Sequence, residues 1–403
     1  MRAVMYGGGN IGRGFVGALL SRSGYEVMFI DVAEPVVSAL SERRRYPVRY
    51  VSGDGWEDQW IENVTAVNGN DGEAAADAIA RCDIMATAVG ARILPYIASN
   101  IVAGLRRRWA AGGGCLNIII CENLMNADRV LGELLESRLT EAERPLFRET
   151  VGLVEASIGR MVPVQTEEMK DGDPMRVCVE RYGYLPVDRA AFKGGVPEIE
   201  NMVPFAPFDF YIKRKLYIHN LGHAVCAYLG DCLGLEYISE AIGQTEIRLL
   251  VQNAMLESAG VLSEKYGVPL AELLRHITDL LHRFGNGALR DTCRRVGGDP
   301  ARKLGPEDRL IGAASLALER GVTPVYIAVG AAAGLRRYLS EAGLAPSVEN
   351  ARRALAELSG LEGESRLAEL ILELYRLLLD GCTLTELRRA ADDRKAAETG
   401  GVI

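Results

Sequence analysis

The chain opens with Arg2-Ala3-Val4-Met5-Tyr6-Gly7-Gly8-Gly9-Asn10-Ile11-Gly12-Arg13, and this stretch decides how its first part folds. A short apolar strand leads into a Gly-x-Gly-x-x-Gly frame, and the residues after it have the pattern of a helix to about residue 23. The first glycine of such a frame allows a tight turn, the second lets a pyrophosphate approach the backbone, and the third permits close helix–strand packing. The helix N-terminus then faces the anion. The stretch predicts a dinucleotide site.

The cofactor contacts are expected to come from the glycine frame and from the end of the next strand. The frame contributes Gly7, Gly8, Gly9, Asn10, Ile11, Gly12 and Arg13. Arg13 is either a phosphate contact or a solvated arginine on the first turn of the helix. Asp31 stands about 20 residues after the frame, where its carboxylate can accept hydrogen bonds from the ribose of NAD and repel the extra phosphate of NADP. NAD is therefore the predicted cofactor; FAD is less favoured, because no second flavin-binding segment is visible.

Two further strand ends should lie at the same edge, since ligands of such sheets bind beyond the carboxyl ends of the strands. Thr87, Ala88 and Val89 are small or smooth, which suits a backbone passing along the cofactor. Asn123 follows a strand near residues 116–121, and its amide can donate to an oxygen beside the nicotinamide. A helix cap or turn residue is an equally good interpretation of Asn123.

The pattern of apolar strands and helices predicts two domains. Strands that are apolar throughout and separated by helices indicate a parallel sheet covered on both faces, and extra strands near residues 150–190 suggest an extension of it, possibly antiparallel. Strand patterns end near residue 209, and helical patterns follow. The predicted fold is an α/β N-terminal Rossmann-type domain with an extended mixed sheet (1–195), an all-α C-terminal domain (196–390) and a flexible tail (391–403).

Composition narrows the class of protein and its surroundings. The net charge of −8 and the pI near 5.4 argue against nucleic acid or an acidic membrane as a main partner. No signal peptide and no window of about 20 apolar residues is visible. The eight cysteines form no Cys-x-x-Cys pair, so they read as reduced thiols, and a cytoplasmic protein is expected.

A second notable stretch is Lys215-Leu216-Tyr217-Ile218-His219-Asn220-Leu221-Gly222-His223. On a regular helix Lys215, Asn220 and His223 fall at roughly 0°, 140° and 80°, within one arc. An amine, an amide and an imidazole facing one cleft suit proton transfer to an oxygen that also needs a hydrogen-bond donor. An amphipathic helix with its polar side in water explains the spacing equally well. The pair His219 and His223 has no acidic ligand within the motif, so no metal site is expected.

These residues together resemble the polyol-specific long-chain dehydrogenases. The likeness lies in residues 7–14, 87–90, 117–123 and 214–224 and continues in 283–286, 295–297 and 302–305. It implies an NAD-dependent enzyme without a catalytic metal that interconverts mannitol 1-phosphate and fructose 6-phosphate. By the family pattern Lys215 is the general acid/base, Asn123 and Asn220 bind the reacting oxygen, and His223 orients the lysine or the substrate.

One position departs from the family pattern. Gly159 stands where the family carries an aspartate near the catalytic lysine. We expect the loss of that anion to lower the pKa of Lys215 relative to family members, because a nearby negative charge favours the charged amine. Glu155 cannot be assumed to replace it.

The substrate end is the least specified part. Residues 283–309 are rich in arginine and lysine, which suits a phosphate, although such a run is more often a solvated face. Arg295 and Lys303 are the first candidates for the phosphate and Asn286 for the polyol. A hexuronate reductase, a dehydrogenase of non-phosphorylated polyols and a non-catalytic NAD-binding sensor remain alternatives. A monomer is preferred, from the resemblance alone.

Overall fold

The computed structural model describes residues 1–53, 55–362 and 365–398 in two compact units, Met1–Asp209 and Phe210–Ile403. The division falls later than the predicted boundary at residue 195. The predicted boundary falls in a segment that contains prolines and glycines, but this segment includes a strand, Met202–Phe205, that pairs with Leu185–Asp188. That pairing keeps the segment within the first unit.

The first unit is built on a six-stranded, entirely parallel sheet. Its strands in chain order are β1 (Arg2–Tyr6), β2 (Glu26–Asp31), β5 (Val64–Asn68), β6 (Ile84–Thr87), β7 (Leu116–Ile120) and β8 (Val151–Glu155), and their spatial order is β5-β2-β1-β6-β7-β8. From β1 the chain first adds β2 and β5 on one side of the sheet. It then crosses back and adds β6, β7 and β8 on the other side. The point of reversal lies between β1 and β6, where ligands of open α/β sheets bind.

Helices cover both faces of this sheet, as the apolar strands predict. They are a π-helical turn (Gly12–Val16), α1 (Gly17–Arg22), α2 (Glu34–Arg43), α3 (Gly72–Arg81), α4 (Leu94–Ala110), α5 (Ala127–Glu136), α6 (Glu143–Thr150) and α7 (Glu167–Lys170), with 3₁₀ turns at Ala91–Ile93 and Arg189–Ala191. Alternate residues of a strand point to opposite faces, so Met5 packs in one buried cluster and Val4 in the other. The predicted Rossmann-type architecture is confirmed.

The mixed pairing expected in the extension of the sheet occurs in a separate small sheet. Strand β8 joins the main sheet in parallel. The second sheet has the order β4-β3-β9, in which β3 (Tyr46–Ser52) pairs antiparallel with β4 (Gly55–Ile61) and parallel with β9 (Val177–Val179). A two-stranded parallel sheet of β10 (Leu185–Asp188) and β11 (Met202–Phe205) completes the unit.

The second unit is helical, and its described residues contain no strand. Its helices are α8 (Asp209–Arg214), a π-helical segment (Lys215–Asn220), α9 (Leu221–Cys232), α10 (Ile238–Gly243), α11 (Thr245–Tyr266), α12 (Leu270–Phe284), α13 (Cys293–Gly297), α14 (Pro300–Lys303), α15 (Ile311–Glu319), α16 (Val325–Glu341), α17 (Val348–Ser359), α18 (Arg366–Leu379) and α19 (Leu384–Glu398), with a 3₁₀ turn at Gly287–Leu289. Every residue of α9 from Leu221 to Gly230 except His223 is buried, and the helix packs against α11, α13 and α16. Small residues on α16 permit that approach, since a side chain at Gly330 would overlap Val225.

The C-terminal helix differs from the predicted flexible tail. Residues 391–398 are helical and Ala391 is buried, while 399–403 lie outside the described residues. Lys395 explains the difference, because its Nζ donates to Glu257 Oε1 of α11 at 2.8 Å and to the carbonyl oxygen of Thr323 at 2.6 Å. The other oxygen of Glu257 accepts from the backbone N–H groups of Tyr326 and Ile327 at the start of α16. One buried carboxylate thus holds three helices together.

Among the residues that the structure describes, no helix is long and apolar enough to cross a bilayer.

We expect Lys395→Met to lower the free energy of unfolding by about 2–3 kcal/mol, because it leaves the nearly buried carboxylate of Glu257 without its cationic partner. Arg394→Met is the matched control. Arg394 lies 3.9 Å from Glu398 and is half-exposed, so its loss should change the free energy by less than about 0.5 kcal/mol. Equilibrium urea unfolding of both variants measures the difference, and equal stabilities would contradict this account of the C-terminal helix.

Candidate functional site

The glycine frame forms a tight loop between β1 and the first helix. Gly7 has φ +102°, and a Cβ added there would lie 2.5 Å from the carbonyl oxygen of Ala88. A Cβ at Gly12 would overlap the carbonyl oxygen of Gly7, whereas one at Gly9 would meet no described atom within 4 Å. The loop is therefore closed on its inner side and open at Gly9, which is the side where a pyrophosphate has to approach the backbone.

Asp31 lies beside this loop at the end of β2. Its Oδ2 accepts from the backbone N–H of Gly8 at 2.6 Å, and its Oδ1 accepts from that of Ala33 at 2.9 Å. The Asp31 side chain stays partly exposed. Asn10 is exposed, and Ile11 is partly buried and packs against the core. The carboxylate is thus oriented by two backbone donors and remains accessible to the ribose hydroxyls of a dinucleotide.

Arg13 is not a solvated residue in this structure. It is 7% exposed, and its guanidinium donates to the carbonyl oxygens of Gly8 and Met175, at 2.6 Å each. Its own carbonyl accepts from the Tyr46 hydroxyl at 2.8 Å. Burial lowers the pKa of the Arg13 guanidinium. The buried guanidinium thus stabilises the glycine loop through the carbonyl oxygen of Gly8, and the role of Arg13 as a phosphate contact stays a prediction.

The loop after β6 lies against the glycine frame, because the backbone N–H of Ala88 donates to the carbonyl oxygen of Tyr6 at 2.8 Å. Ala88 and Val89 are partly exposed and can line a ligand. Thr87 is fully buried, and its hydroxyl makes no hydrogen bond to any residue the structure describes. Its side chain therefore faces the interior, and the contribution of this loop comes from the two residues that follow.

Glu122 is a residue of this edge that the sequence analysis did not single out. It is 8% exposed, and its two carboxylate oxygens accept from the backbone N–H groups of Val89 at 3.0 Å and Gly90 at 2.7 Å. It thereby ties the end of β7 to the loop after β6. The neighbouring Asn123 is exposed in the loop before α5, where its amide is available. The only sequence signal for Glu122 was its place beside Asn123.

A side chain at Gly159 would fit tightly against Tyr182, whose ring would have to move by a few tenths of an ångström. A Cβ at this position would lie 3.0 Å from the Tyr182 ring, and the neighbouring Arg160 is buried with a 2.7 Å hydrogen bond to the carbonyl oxygen of Gly14. Burial lowers the pKa of Arg160 to about 10. Glu155 accepts from the backbone N–H of Ala127 at 2.7 Å, at the start of α5. It therefore serves as a helix cap in the first unit.

In the second unit, the Lys215 stretch is not a regular α-helix. Residues 215–220 form a π-helical segment between α8 and α9, in which the N–H of Leu221 donates to the carbonyl oxygen of Leu216, an i to i+5 bond. Residues five apart in such a segment are one turn apart, so Lys215 and Asn220 project in similar directions. The angle of roughly 140° expected for a regular helix therefore overstates the angle between these two residues around the helix axis.

Lys215 sits in an environment that favours the neutral amine. Burial, and secondarily the charge of Arg309, lower the pKa of Lys215 to about 8. The pKa of His219 is held well below its ordinary value, chiefly by burial, with Arg283 as the largest charged contributor. An amine that changes charge near neutral pH is suited to moving protons.

His223 is held by two neighbours, one of which the sequence analysis missed. Its ring stacks on Phe284 at 4.8 Å between centroids and 10° between planes, and its Nε2 lies 3.3 Å from Asp291 Oδ2. Burial by itself would raise the pKa of Asp291, but the hydrogen bond with His223 and the charge of Arg295 outweigh it, so the pKa is lowered. Asp291 and Arg295 are four residues apart, which is the spacing of a helical ion pair and the only sequence signal for this contact.

The three substrate candidates have different surroundings. Arg295 is 58% exposed and pairs with Asp291, Nε to Oδ1, at 2.8 Å. Lys303 is 5% exposed, donates to the carbonyl oxygen of Gly298, and has its pKa lowered to about 8 by burial and then by Arg309 and Arg302. Asn286 caps the 3₁₀ turn, its Oδ1 accepting from the N–H of Ala288 at 3.1 Å. Arg309 thus depresses the pKa of both buried lysines, Lys215 and Lys303.

Two family models match consecutive parts of the chain. The mannitol dehydrogenase Rossmann domain matches residues 1–201, and the mannitol dehydrogenase C-terminal domain matches residues 208–372.

Curated relatives share the same name across several bacilli. The mannitol-1-phosphate 5-dehydrogenase of Bacillus licheniformis is 39% identical over 337 residues, covering 83% of this chain and 88% of the relative. The mannitol-1-phosphate 5-dehydrogenase of Bacillus subtilis is 41% identical over 337 residues, covering 83% of this chain and 87% of the relative.

Solved structures show the same fold at low identity. D-sorbitol dehydrogenase in its substrate-free form has a TM-score of 0.81 at 16% identity, with 97% of this chain and 94% of that chain covered. Pseudomonas fluorescens mannitol 2-dehydrogenase, solved with NAD and D-mannitol, has a TM-score of 0.72 at 15% identity with the same coverage.

Two glycine substitutions separate the structural role of the loop from its binding role. Gly12→Ala should destabilise the protein by about 1–3 kcal/mol, because the methyl group overlaps the backbone of Gly7. Gly9→Ala should leave the melting temperature nearly unchanged and weaken NADH binding by about tenfold, because its methyl group occupies the open side of the loop. Calorimetry and NADH fluorescence titration measure the two effects. Wild-type NADH affinity in Gly9→Ala would contradict the assignment of the loop.

The pKa of Lys215 can be read directly, because the chain has seven lysines. After reductive methylation with ¹³C, we expect the Lys215 signal to titrate near pH 8, well below an ordinary lysine at about 10.4. Arg309→Met should raise that pKa, since it removes a neighbouring positive charge. Arg302→Met is the control, expected to raise the pKa of Lys303 while leaving that of Lys215 in place. An unshifted Lys215 in Arg309→Met would rule out the electrostatic role of Arg309.

Proposed function

The chain belongs to the mannitol dehydrogenase family, and from that premise we propose that it is an NAD-dependent polyol-phosphate dehydrogenase that interconverts mannitol 1-phosphate and fructose 6-phosphate. The relatives at about 40% identity over most of the chain are named for this substrate. The observation within the molecule that carries the proposal is the lysine with a lowered pKa on the π-helical segment. An alcohol–ketone interconversion needs such a group to take up or release a proton at the reacting oxygen.

The first unit offers a site that fits NAD. The open side of the loop at Gly9, the oriented carboxylate of Asp31 and the partly exposed Ala88 and Val89 lie at the carboxyl edge of one parallel sheet. The fixed negative charge of Asp31 favours NAD over NADP. When bound, the nicotinamide supplies the hydride acceptor or donor. The chain's own contribution here is binding and orientation.

Lys215 is the proposed general acid/base. In alcohol oxidation its neutral amine takes the hydroxyl proton, and in ketone reduction its ammonium gives that proton back. A pKa near 8 keeps both forms populated close to neutral pH. Asn220, one π-turn away, is proposed to donate its amide hydrogens to the same oxygen and stabilise the developing alkoxide. Asn123 has the same proposed role from the family pattern.

The phosphate and the polyol chain are assigned to the second unit. Lys303 and Arg295 are the proposed phosphate contacts and Asn286 the polyol contact. Lys303 is the better supported of the two cations, because it is buried and the charges of Arg309 and Arg302 act on it, whereas Arg295 is exposed and paired with Asp291. A divalent anion offsets the electrostatic cost of placing these cations together.

The alternatives are a hexuronate reductase, a dehydrogenase of non-phosphorylated polyols and a non-catalytic NAD sensor. The names of the relatives favour the phosphorylated substrate, and the depressed pKa of Lys215 favours an enzyme over a sensor. The proposal also includes a cytoplasmic setting, supported by eight free thiols, and a monomer, supported by the resemblance alone.

The proposed activity is tested by NADH oxidation with fructose 6-phosphate, fructose and a hexuronate in parallel. We expect fructose 6-phosphate to give the highest kcat/KM. Lys215→Met should lower kcat by about 10²- to 10⁴-fold, the range for losing a general acid/base. Lys213→Met is the matched control, since Lys213 lies two residues away and donates to the Tyr217 hydroxyl at 3.2 Å; its kcat should stay within about threefold of wild type. Turnover of none of the three substrates would contradict the enzyme assignment.

A further inference from the structure

Asp291 is a buried carboxylate that the roles given above leave unassigned. It lies in the connection between the 3₁₀ turn Gly287–Leu289 and α13, and its side chain is 10% exposed. One carboxylate oxygen is 3.3 Å from His223 Nε2, and the other accepts from Arg295 Nε at 2.8 Å. The carboxylate therefore links the imidazole of α9 to a proposed substrate contact on α13.

The backbone around Asp291 is fixed independently of these side chains. The carbonyl oxygen of Asp291 accepts from the N–H of Ile238 at 2.9 Å, and the N–H of Cys293 donates to the carbonyl oxygen of Glu236 at 2.8 Å. Between them, Tyr237 and Thr292 form an antiparallel bridge. A short two-stranded contact thus fixes the backbone of Asp291 against the segment that precedes α10.

Two contacts orient the imidazole of His223. Stacking on the buried ring of Phe284, at 4.8 Å and 10°, sets the plane of the imidazole. The contact with Asp291 sets its direction within that plane. An ionised carboxylate can only accept hydrogen bonds, so Nε2 must carry the hydrogen. In the neutral imidazole Nδ1 is then an unprotonated acceptor.

We propose that Asp291 is a positioning residue that holds His223 as the Nε2–H tautomer, so that Nδ1 accepts a hydrogen bond from a hydroxyl of the polyol substrate. This inference rests on the proposed function, because it assumes a hydroxylated substrate at the Lys215 stretch. The acceptor has a selective effect: a hydroxyl can donate to it, whereas the oxygens of an ionised carboxylate or phosphate cannot. Asp291 thereby favours polyol binding at His223. The same carboxylate also holds Arg295 through the hydrogen bond from its Nε.

The test combines kinetics with the tautomer of His223, which is tractable because the chain has four histidines. In Asp291→Ala, with NAD present, ¹⁵N–¹H correlation spectra should lose the preference for the Nε2–H tautomer. KM for fructose 6-phosphate should rise about tenfold while kcat stays within about threefold, as expected when a contact made in both the ground and transition states is weakened. Asp291→Glu keeps a carboxylate and should recover part of both effects.

Two further variants separate this role from a structural one. Asp231→Ala removes an equivalent carboxylate–guanidinium contact, 2.8 Å to Arg337, and should leave the tautomer and KM unchanged. Arg295→Met keeps the carboxylate beside His223, so the tautomer should persist. A wild-type tautomer in Asp291→Ala, or a fall in active fraction with unchanged KM, overturns the proposal. A wild-type enzyme that turns over no ketose or ketose phosphate overturns the proposed function instead, while the tautomer measurement still decides whether Asp291 orients His223.

Discussion

The parallel ladder through β1 fixes where the proposed dinucleotide contacts lie. Tyr6 pairs with Ile30 on one side and Thr87 on the other, so the three strands end at one level. The glycine loop, Asp31 and the loop at Ala88 therefore emerge at the same edge. Backbone hydrogen bonds continue this register beyond the strands, from Gly7 to Ile30 and from Ala88 to Tyr6. A shift in the pairing of these strands would displace the glycine loop, Asp31 and the loop at Ala88 relative to one another. The proposed dinucleotide contacts therefore depend on this strand pairing.

Buried charges serve two different purposes in this protein. Arg13 and Glu122 direct their charges at backbone groups of neighbouring loops, and Glu257 does so at the start of α16. A buried charge that is fully hydrogen-bonded in this way holds its segment in one arrangement. Lys215 and Lys303 differ, because burial and the nearby Arg309 lower the pKa of each to about 8. That difference distinguishes residues that brace the fold from lysines that can change charge near neutral pH.

The sequence anticipated the type of each domain more accurately than the role of single side chains. Apolar strands alternating with helices predicted the Rossmann-type unit, and the strand-free second half predicted the helical unit. The sheet β4-β3-β9 was missed, because its parallel pairing of β3 with β9 joins residues far apart in the chain. The burial of Arg13 was not anticipated for the same reason, since its partner Met175 is remote in sequence. The tail was misjudged because its anchor, Glu257, lies on α11.

By itself the sequence determined the dinucleotide frame, the strand-end acid at Asp31 and the Lys215–Asn220–His223 set, because each depends on local spacing along a loop or a helix. Only the tertiary structure decided how these groups are tuned. The π-helical segment brings Lys215 and Asn220 one turn apart, Arg309 lowers the pKa of Lys215, and Asp291 orients His223. These effects depend on burial and on contacts between helices distant in the chain, and neither quantity is contained in the local pattern of residues.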